Sequence, residues 1–205
     1  MMNINEIKLI GGSVCLDFIN TMHDRSLENS FDYIGEGYPS LLNWCEYAGV
    51  WDRATLLKLQ TLKNNEAAQN KVHQAAIELR NILFSLFSAM ADHAPLPAAD
   101  LSGFNYFLSE TLLHKRVVAD GTQLTSAWDL SICRFDMILL PVVEAAYQLL
   151  IGGDHQKIKK CPACGWVFID KSKGGRRRWC SMDTCGTIDK SRRYYQGKVK
   201  DKKSN

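Results

Sequence analysis

Four cysteines near the C-terminus have the spacing needed to bind a metal ion. Cys161 and Cys164 form one pair, and Cys180 and Cys185 form a second, in the pattern C-x2-C-x15-C-x4-C. The N-terminal sequence MMNINEIKLIGG lacks the apolar core of a signal peptide, so we expect a reducing compartment and few disulfides. Paired knuckles there indicate zinc, and four thiolates would close its tetrahedral shell. We therefore expect one structural zinc ion.

These ligands have to be positioned by a small module that folds around the metal. The residues of 166–169, Trp-Val-Phe-Ile, suit a short strand of a hairpin after the first knuckle, and Gly165 supplies a turn between the two. A helix is predicted from Asp183 to about Gln196, beginning at the second knuckle. Metal binding can supply the folding energy that so few residues lack. We predict a treble-clef-like or zinc-ribbon-like finger over residues 157–197.

The charge of the chain is divided unevenly. Residues 1–156 contain 10 Lys and Arg against 18 Asp and Glu, whereas residues 157–205 contain 15 against 4. The formal net charge of +3 is therefore the sum of an acidic body and a basic C-terminal part. A basic segment of this kind is typical of a chain that binds a polyanion.

Six basic side chains flank the second knuckle and are the candidate contacts to nucleic acid. They are Arg176, Arg177, Arg178, Lys190, Arg192 and Arg193. Guanidinium groups match phosphate oxygens, and a basic helix can lie in the major groove of duplex DNA. The alternative is that these side chains cover the surface and neutralise the zinc thiolates.

Apolar residues at helical spacing dominate the first 153 residues. They predict helices over 40–48, 52–61, 66–91, 100–113 and about 129–151, with Asp100 as a candidate N-cap and Gly49 and Gly152-Gly153 as helix stops. Pro141 should kink the last helix or begin a new segment. Asp120-Gly121 predicts one small hairpin, the only sheet expected in this body. The predicted fold class is mainly α, with a helical N-terminal domain, one hairpin and a C-terminal zinc finger with four cysteine ligands.

Four polar residues interrupt apolar segments of this body and are candidates for a small-molecule pocket: Asp17, Asn20, Thr21 and Arg80. The alternative is that Asp17 pairs with Arg80, or caps backbone, for structure alone. No catalytic residues are predicted, because the five histidines do not cluster and phosphate loops and H-E-x-x-H are absent. The remaining cysteines are expected to be buried hydrophobes: Cys15, Cys45 and Cys133.

The finger sequence CPACGWVFIDKSKGGRRRWCSMDTCGTIDKSRRYY resembles the CGNR zinc-finger family. The cysteine and glycine of the family's Cys-Gly-Asn-Arg are Cys185 and Gly186, but Thr187 and Ile188 replace the Asn and Arg. The segments GGSVCLDFINT and LLNWCEYAGV, and the Leu79-Arg80 pair, are similar to the ABATE domain. The resemblance implies a stress-induced bacterial transcriptional regulator with a helical sensor domain fused to a DNA-binding finger.

We therefore predict a one-component regulator of the cytoplasm that binds double-stranded DNA and is not an enzyme. Residues 1–153 are expected to form a sensor or dimerisation domain that takes a small-molecule effector in a homodimer, and 198–205 a disordered basic tail. No run of 18 apolar residues exists, so no membrane helix is expected. RNA binding and a protein-interaction adaptor remain the alternative functions.

Overall fold

The longest helix, α4 (Glu66–Ala91), organises the N-terminal body. The computed structural model describes residues 4–25, 27–61, 65–131 and 134–191. Six apolar residues are predicted for one face of α4. Met90 is half-buried, and the other five are buried: Val72, Ala76, Leu79, Leu83 and Leu86. Asn65 caps the helix, since its side chain accepts a hydrogen bond from the backbone N–H of Ala68 at 3.0 Å.

The described part of the N-terminal body contains five further α-helices, so the fold is mainly α as predicted. They are α1 (Val14–Ile19), α2 (Tyr38–Tyr47), α3 (Arg53–Thr61), α5 (Ala98–Leu112) and α6 (Leu140–Gly152). Phe18 of α1 and Trp44 of α2 lie fully buried with ring centroids 5.2 Å apart. Burial of aromatic side chains of this size supplies much of the hydrophobic stabilisation of the body.

The ends of three helices test the sequence signals directly. Gly49 ends α2 with a φ of +62°, as expected for a glycine stop. Asp52 begins α3, since its two carboxylate oxygens accept hydrogen bonds from the backbone N–H and the hydroxyl of Thr55. The prediction that Asp100 caps α5 is wrong. Pro97 stands at that position, and Asp100 instead accepts a hydrogen bond from the Ser85 hydroxyl of α4 at 2.5 Å.

The predicted hairpin consists of β1 (Lys115–Asp120) and β2 (Gln123–Trp128), which pair antiparallel. Asp120 is paired with Gln123, so the two-residue turn is Gly121-Thr122, one residue later than predicted. Gly121 has a φ of +59°, a conformation that glycine adopts without strain. Within the described part of residues 1–153 this is the only sheet.

The last helix of the body is shorter than its apolar pattern predicts. A 3-10 turn at Phe135–Leu139 precedes α6, and Pro141 lies in the first turn of that helix. Proline lacks a backbone N–H and fits a first turn, where no intrahelical partner is needed, better than a helix interior. Pro141 therefore begins a new segment rather than kinking one long helix.

The hairpin of the finger has its first strand ahead of the first knuckle. Strand β3 (Ile158–Lys160) pairs antiparallel with β4 (Val167–Ile169), and the first knuckle lies in the turn between them. The helix predicted from residue 183 starts as a π-helical turn at Met182–Gly186 and continues as α-helix over residues 187–191. The remainder of that predicted helix and the predicted tail 198–205 lie outside the described residues.

The body and the finger share their hydrophobic cores. Ile158 and Val167 of the finger belong to the main core of the body. Conversely, Ile7 and Tyr33 of the N-terminal segment pack with the four cysteines, Trp166 and Phe168 in a second core. The finger therefore depends on body side chains for part of its packing.

Candidate metal centre and nucleic-acid interface

The four knuckle cysteines converge on one point. Their sulfur atoms all lie within 4.8 Å of one another, and all four side chains are buried. The Sγ atoms are 3.5 Å apart for Cys164 and Cys180, and 3.6 Å apart for Cys180 and Cys185. Zinc–sulfur bonds of ~2.3 Å in a tetrahedron place sulfur atoms about 3.8 Å apart. The cluster therefore fits one Zn2+ ion with four thiolate ligands and no open position for water.

The thiols of the cluster are coupled: hydrogen bonding with Cys161 raises the pKa of Cys164 and of Cys180, which favours the thiolate form at Cys161. Hydrogen bonds from Cys164 and Cys180 lower the pKa of the Cys161 thiol. The two described cysteines of the body behave differently, because they lie in the apolar core. Burial raises the pKa of the Cys15 thiol to about 12 and also raises that of Cys45. Both are thus inert hydrophobes, as predicted, and Cys133 lies outside the described residues.

The first knuckle is a tight turn closed by backbone hydrogen bonds. The N–H of Cys161 donates to the Trp166 carbonyl at 2.8 Å, and the N–H of Gly165 donates to the Cys161 carbonyl at 2.9 Å. Gly165 has a φ of +75°, which glycine reaches without strain. The β3–β4 hairpin thereby presents the first two ligands on one side of the turn.

Arg177 supports the second knuckle rather than pointing to solvent. Its Nε donates to the Trp179 carbonyl at 3.0 Å, and its Nη2 donates to the Cys180 carbonyl. The guanidinium also lies 4.7 Å from the centre of the Phe168 ring. The side chain is half-buried, so this residue holds the metal-binding turn in place.

A buried carboxylate shapes the basic loop between the knuckles. Asp170 follows β4 and accepts hydrogen bonds from the backbone N–H groups of Ser172 at 2.9 Å and Arg177 at 2.8 Å. The hydrogen bonds from Ser172 hold the pKa of this carboxyl below its ordinary value. The loop is thereby closed, and Arg176 and Arg178 are left exposed on either side of Arg177.

The basic side chains predicted to bind nucleic acid thus fall into separate groups. Arg176, Arg178 and Lys190 are exposed, and Arg178 lies 5.2 Å from the centre of the Trp179 ring. Neither Arg176 nor Arg178 forms an ion pair within the described ranges. Arg192 and Arg193 lie outside those ranges. Three of the six candidates are therefore free to contact a ligand.

Asn20 fastens the finger to the body. Its side-chain amide donates to the Val167 carbonyl at 2.8 Å, and its carbonyl accepts from the Val167 N–H at 3.0 Å. The Asn20 side chain is 1% exposed, so these hydrogen bonds are shielded from water. The residue completes the outer edge of β4 as a neighbouring strand would.

Replacing Asn20 with alanine is expected to lower the free energy of unfolding by about 2–4 kcal/mol, because two buried backbone groups of Val167 lose their partners. Urea unfolding measures the loss, and Asn43→Ala at an exposed position of α2 is the control. A loss no larger than that of the control would contradict the role given to Asn20.

Two more contacts join residues 20–25 to the first knuckle and its flanking Trp166. The indole N–H of Trp166 donates to the Met22 carbonyl at 2.7 Å, and the N–H of Arg25 donates to the Cys164 carbonyl at 3.0 Å. The Arg25 guanidinium donates to the Ile19 carbonyl and lies 3.9 Å from the centre of the Phe84 ring. Residues 20–25 therefore lie between α4 and the zinc ligands.

Arg80 has a partner that the sequence did not indicate. Its guanidinium forms two hydrogen bonds of 2.6 Å with the carboxylate of Asp32, and a third of 2.9 Å with the Thr21 hydroxyl. The Arg80 side chain is 2% exposed. Asp32 lies in a polar stretch between helices, where no periodic pattern marks it. The interpretation that Asp17 pairs with Arg80 is wrong.

Asp17 instead caps backbone, as the alternative interpretation proposed. Its Oδ1 accepts from the Gly11 N–H at 2.7 Å. Burial raises the pKa of this carboxyl to about 6, although the Gly11 hydrogen bond and the Lys171 ammonium oppose that shift. Of the four pocket candidates, the structure thus brings only Thr21 and Arg80 into contact, and Asp17 and Asn20 each have a separate structural partner.

The raised pKa of Asp17 predicts a pH dependence of stability. Between about pH 6 and pH 4 the native carboxyl binds more protons than the unfolded one, so stability rises as the pH falls. Asp17→Asn keeps the acceptor for Gly11 and removes this titration. We expect the free energy of unfolding of the native chain, relative to Asp17→Asn, to increase from pH 7 to pH 5. Parallel urea-unfolding profiles would contradict this expectation.

Comparison with known families agrees with this architecture. Residues 12–153 match the ABATE family, described as "Putative stress-induced transcription regulator". The chain belongs to the ABATE family. Residues 157–198 of this ABATE protein match the CGNR zinc finger. Among curated proteins, none matches the chain. In the described residues of the ABATE protein, no helix is long and apolar enough to cross a membrane.

This finger departs from the Cys-Gly-Asn-Arg motif of its family at two positions on the exposed side of the second knuckle, Thr187 and Ile188. Thr187 bonds back to the Met182 carbonyl through its hydroxyl at 3.2 Å, and Ile188 is 49% exposed. Gly186 is buried, and its N–H donates to the Ser181 carbonyl at 3.0 Å. The ABATE protein therefore keeps the turn that holds Cys185 but presents an apolar side chain where the family has arginine.

Proposed function

We propose that this ABATE protein is a one-component transcription regulator that binds double-stranded DNA through its finger. The observation that carries the proposal is the exposure of three basic side chains of the finger, namely Arg176, Arg178 and Lys190. Residues 157–205 hold 15 of the chain's 25 Lys and Arg residues, while the body is acidic. Phosphate contacts supply most of the affinity for nucleic acid, and the acidic body would disfavour binding of DNA elsewhere.

The packing of the finger supports a regulatory coupling between the two parts. Asn20, Met22 and Arg25 hold β4 and the first knuckle against α1 and α4. A change in the helices would therefore move the DNA-contacting surface as a unit. We propose that a small-molecule effector acts on the body in this way, and that two copies bind DNA as a homodimer.

The roles of residues 1–153 and 157–197 follow from this proposal. The body would sense and dimerise, and the zinc-stabilised finger would bind DNA. Four thiolates would fill the shell of a zinc ion at the cysteine cluster, which supports a structural metal and a non-enzymatic function. The cytoplasm is the natural compartment for such a regulator.

Titration of zinc-loaded protein with duplex DNA, single-stranded DNA and structured RNA tests the proposal. We expect the tightest binding to duplex DNA, with an affinity that falls steeply as salt rises. Selection from random duplexes would then identify the operator. Preference for RNA would support the RNA-binding alternative, and absence of binding at low salt would support the adaptor.

Variants of the exposed arginines sharpen this test. Arg176→Ala and Arg178→Ala are each expected to weaken DNA binding about tenfold, or about 1.4 kcal/mol, and to reduce the salt slope by about 1. Arg53→Ala, at an exposed position of α3, is the control. Equal losses for all three variants would contradict a specific role for the finger. Arg177→Ala is a poor probe, because it would disturb the knuckle itself.

A further inference from the structure

A cavity of about 860 Å³ lies in the body, away from the finger. We name it the α4–α6 cavity, because it lies between the first half of α4, the second half of α5 and the start of α6. Its lining comes from one face of α4 that includes Ala68 and Ala75, from side chains between Tyr106 and His114 at the end of α5, and from the segment before and within the start of α6. None of Asp17, Asn20, Thr21 and Arg80 lines it.

The floor of the α4–α6 cavity is apolar. Four buried aliphatic side chains form it, namely Val72, Leu139, Leu140 and Val143. Two aromatic rings lie along the α5 side: Phe107 is half-buried, and Tyr106 is 65% exposed. Cavities of roughly 300–1,000 Å³ with apolar and aromatic walls are typical of sites for small molecules.

The charges around the cavity cancel. Arg134 and Asp136 form an ion pair with each other, so neither presents a net charge to an occupant. Lys71 and Glu110 contribute one exposed charge of each sign. Among the described residues, the lining therefore offers no excess charge that would stabilise an anion or a cation, and an apolar floor penalises burial of either.

Polar atoms suitable for orienting an uncharged ligand are present. The Thr111 side chain is 3% exposed and lies in the lining, and the imidazole of His114 is half-buried beside it. A hydroxyl and an imidazole can each donate or accept one hydrogen bond. An aromatic molecule with one or two neutral polar groups would satisfy both parts of the surface.

We propose that the α4–α6 cavity binds an uncharged, largely apolar aromatic small molecule. The site is built from the ends of α4 and α6 that lie away from the finger. The opposite end of α4 contacts the finger, because Asp92 at that end forms an ion pair with Lys160 of β3. The C-terminal end of α6 leads through residues 153–157 into β3. That an occupant regulates DNA binding rests on the proposed function.

Titration of the full, zinc-loaded chain with the uncharged aromatic dye Nile red tests the site. We expect a saturable rise in fluorescence with one dye per chain. Ala75 is half-buried in the lining, so Ala75→Trp should fill the cavity and lower the dye affinity at least tenfold. Ala67→Trp makes the same substitution at an exposed position of α4 outside the lining, and we expect the affinity of the parent chain.

Two further measurements keep this experiment decisive. Ala68→Trp, also in the lining and on the same helix as Ala75, makes the same test if Ala75→Trp fails to fold. The anionic dye anilinonaphthalene sulfonate should bind at least tenfold more weakly than Nile red, and tighter binding would overturn the assigned ligand class. Unsaturable dye binding by the parent chain, or undiminished affinity in a folded cavity-filling variant, would overturn the site.

The same preparations, titrated with duplex DNA, separate this proposal from the proposed function. Dye binding without DNA binding would support the cavity and refute the DNA-binding function. DNA binding without dye binding would do the reverse.

Discussion

Cys180→Ser is expected to abolish stoichiometric zinc binding and to unfold the finger. Cys180 is one of the four converging ligands, with its sulfur 3.5 Å from that of Cys164 and 3.6 Å from that of Cys185. Structural zinc contributes apparent binding energies of about 10–16 kcal/mol in finger peptides, and that energy is folding energy. The loss of this binding energy exceeds the destabilisation that a marginally stable domain can tolerate. The measured zinc content should fall from one ion per chain to well below one, and DNA binding should disappear.

The effect is expected to extend into the body. The N–H of Arg25 donates to the Cys164 carbonyl, and Ile7 and Tyr33 pack with the cysteines. Amide hydrogen exchange should therefore increase at β3 and β4 and also around residues 20–25. Cys45→Ala, which removes a buried thiol of α2 outside the metal cluster, is the control and should retain one zinc. Full zinc content in Cys180→Ser would refute the four-cysteine site.

Asp32→Asn is expected to lower the free energy of unfolding by about 3 kcal/mol or more, the second of the two largest effects. The substitution preserves the shape of the side chain but leaves the Arg80 guanidinium buried without its counter-charge. Removing one partner of a buried ion pair costs about 3–5 kcal/mol, and the Asp32 side chain is 23% exposed, which favours the lower end. Urea unfolding monitored by circular dichroism measures the change.

A surface pair provides the matched control. Asp136→Asn breaks the ion pair with Arg134, whose side chain is 59% exposed, and should cost less than about 1 kcal/mol. Adding Arg80→Met to Asp32→Asn removes the uncompensated charge and should restore part of the lost stability. Equal effects of Asp32→Asn and Asp136→Asn would show that burial of the Arg80 pair contributes nothing.

The sequence was most informative where a local rule determines structure. Apolar spacing predicted the bounds of α4, and Gly49 and Gly152-Gly153 predicted two helix ends. The cysteine spacing predicted the metal cluster, because two short knuckles bring four sulfurs together once the chain turns. The failures have a common cause. Asp100 bonds to a neighbouring helix rather than to its own first turn, and that choice depends on tertiary packing.

The polar residues of the body were recognised as unusual, but their partners were not. Asn20 bonds to Val167, 147 residues away, and Arg80 bonds to Asp32, 48 residues away. Neither separation leaves a periodic signal in the chain. The sequence likewise grouped Arg177 with Arg176 and Arg178. In the fold, its backbone N–H donates to the Asp170 carboxylate and its guanidinium lies over the Phe168 ring, so the side chain is half-buried. Charge identifies a basic segment, but only the fold separates supporting cations from exposed ones.

The Asn20–Val167 pairing also bears on how such a finger could be transplanted. A chimera cut between residues 153 and 157 would sever the chain where its sequence divides, yet leave β4 without the amide that completes its edge. It would also strip Ile7 and Tyr33 from the side of the metal cluster. A recipient body would have to supply equivalents of these three side chains. The set of residues that would have to be transferred is thus discontinuous in the sequence. It includes the finger and also side chains near the beginning of the chain.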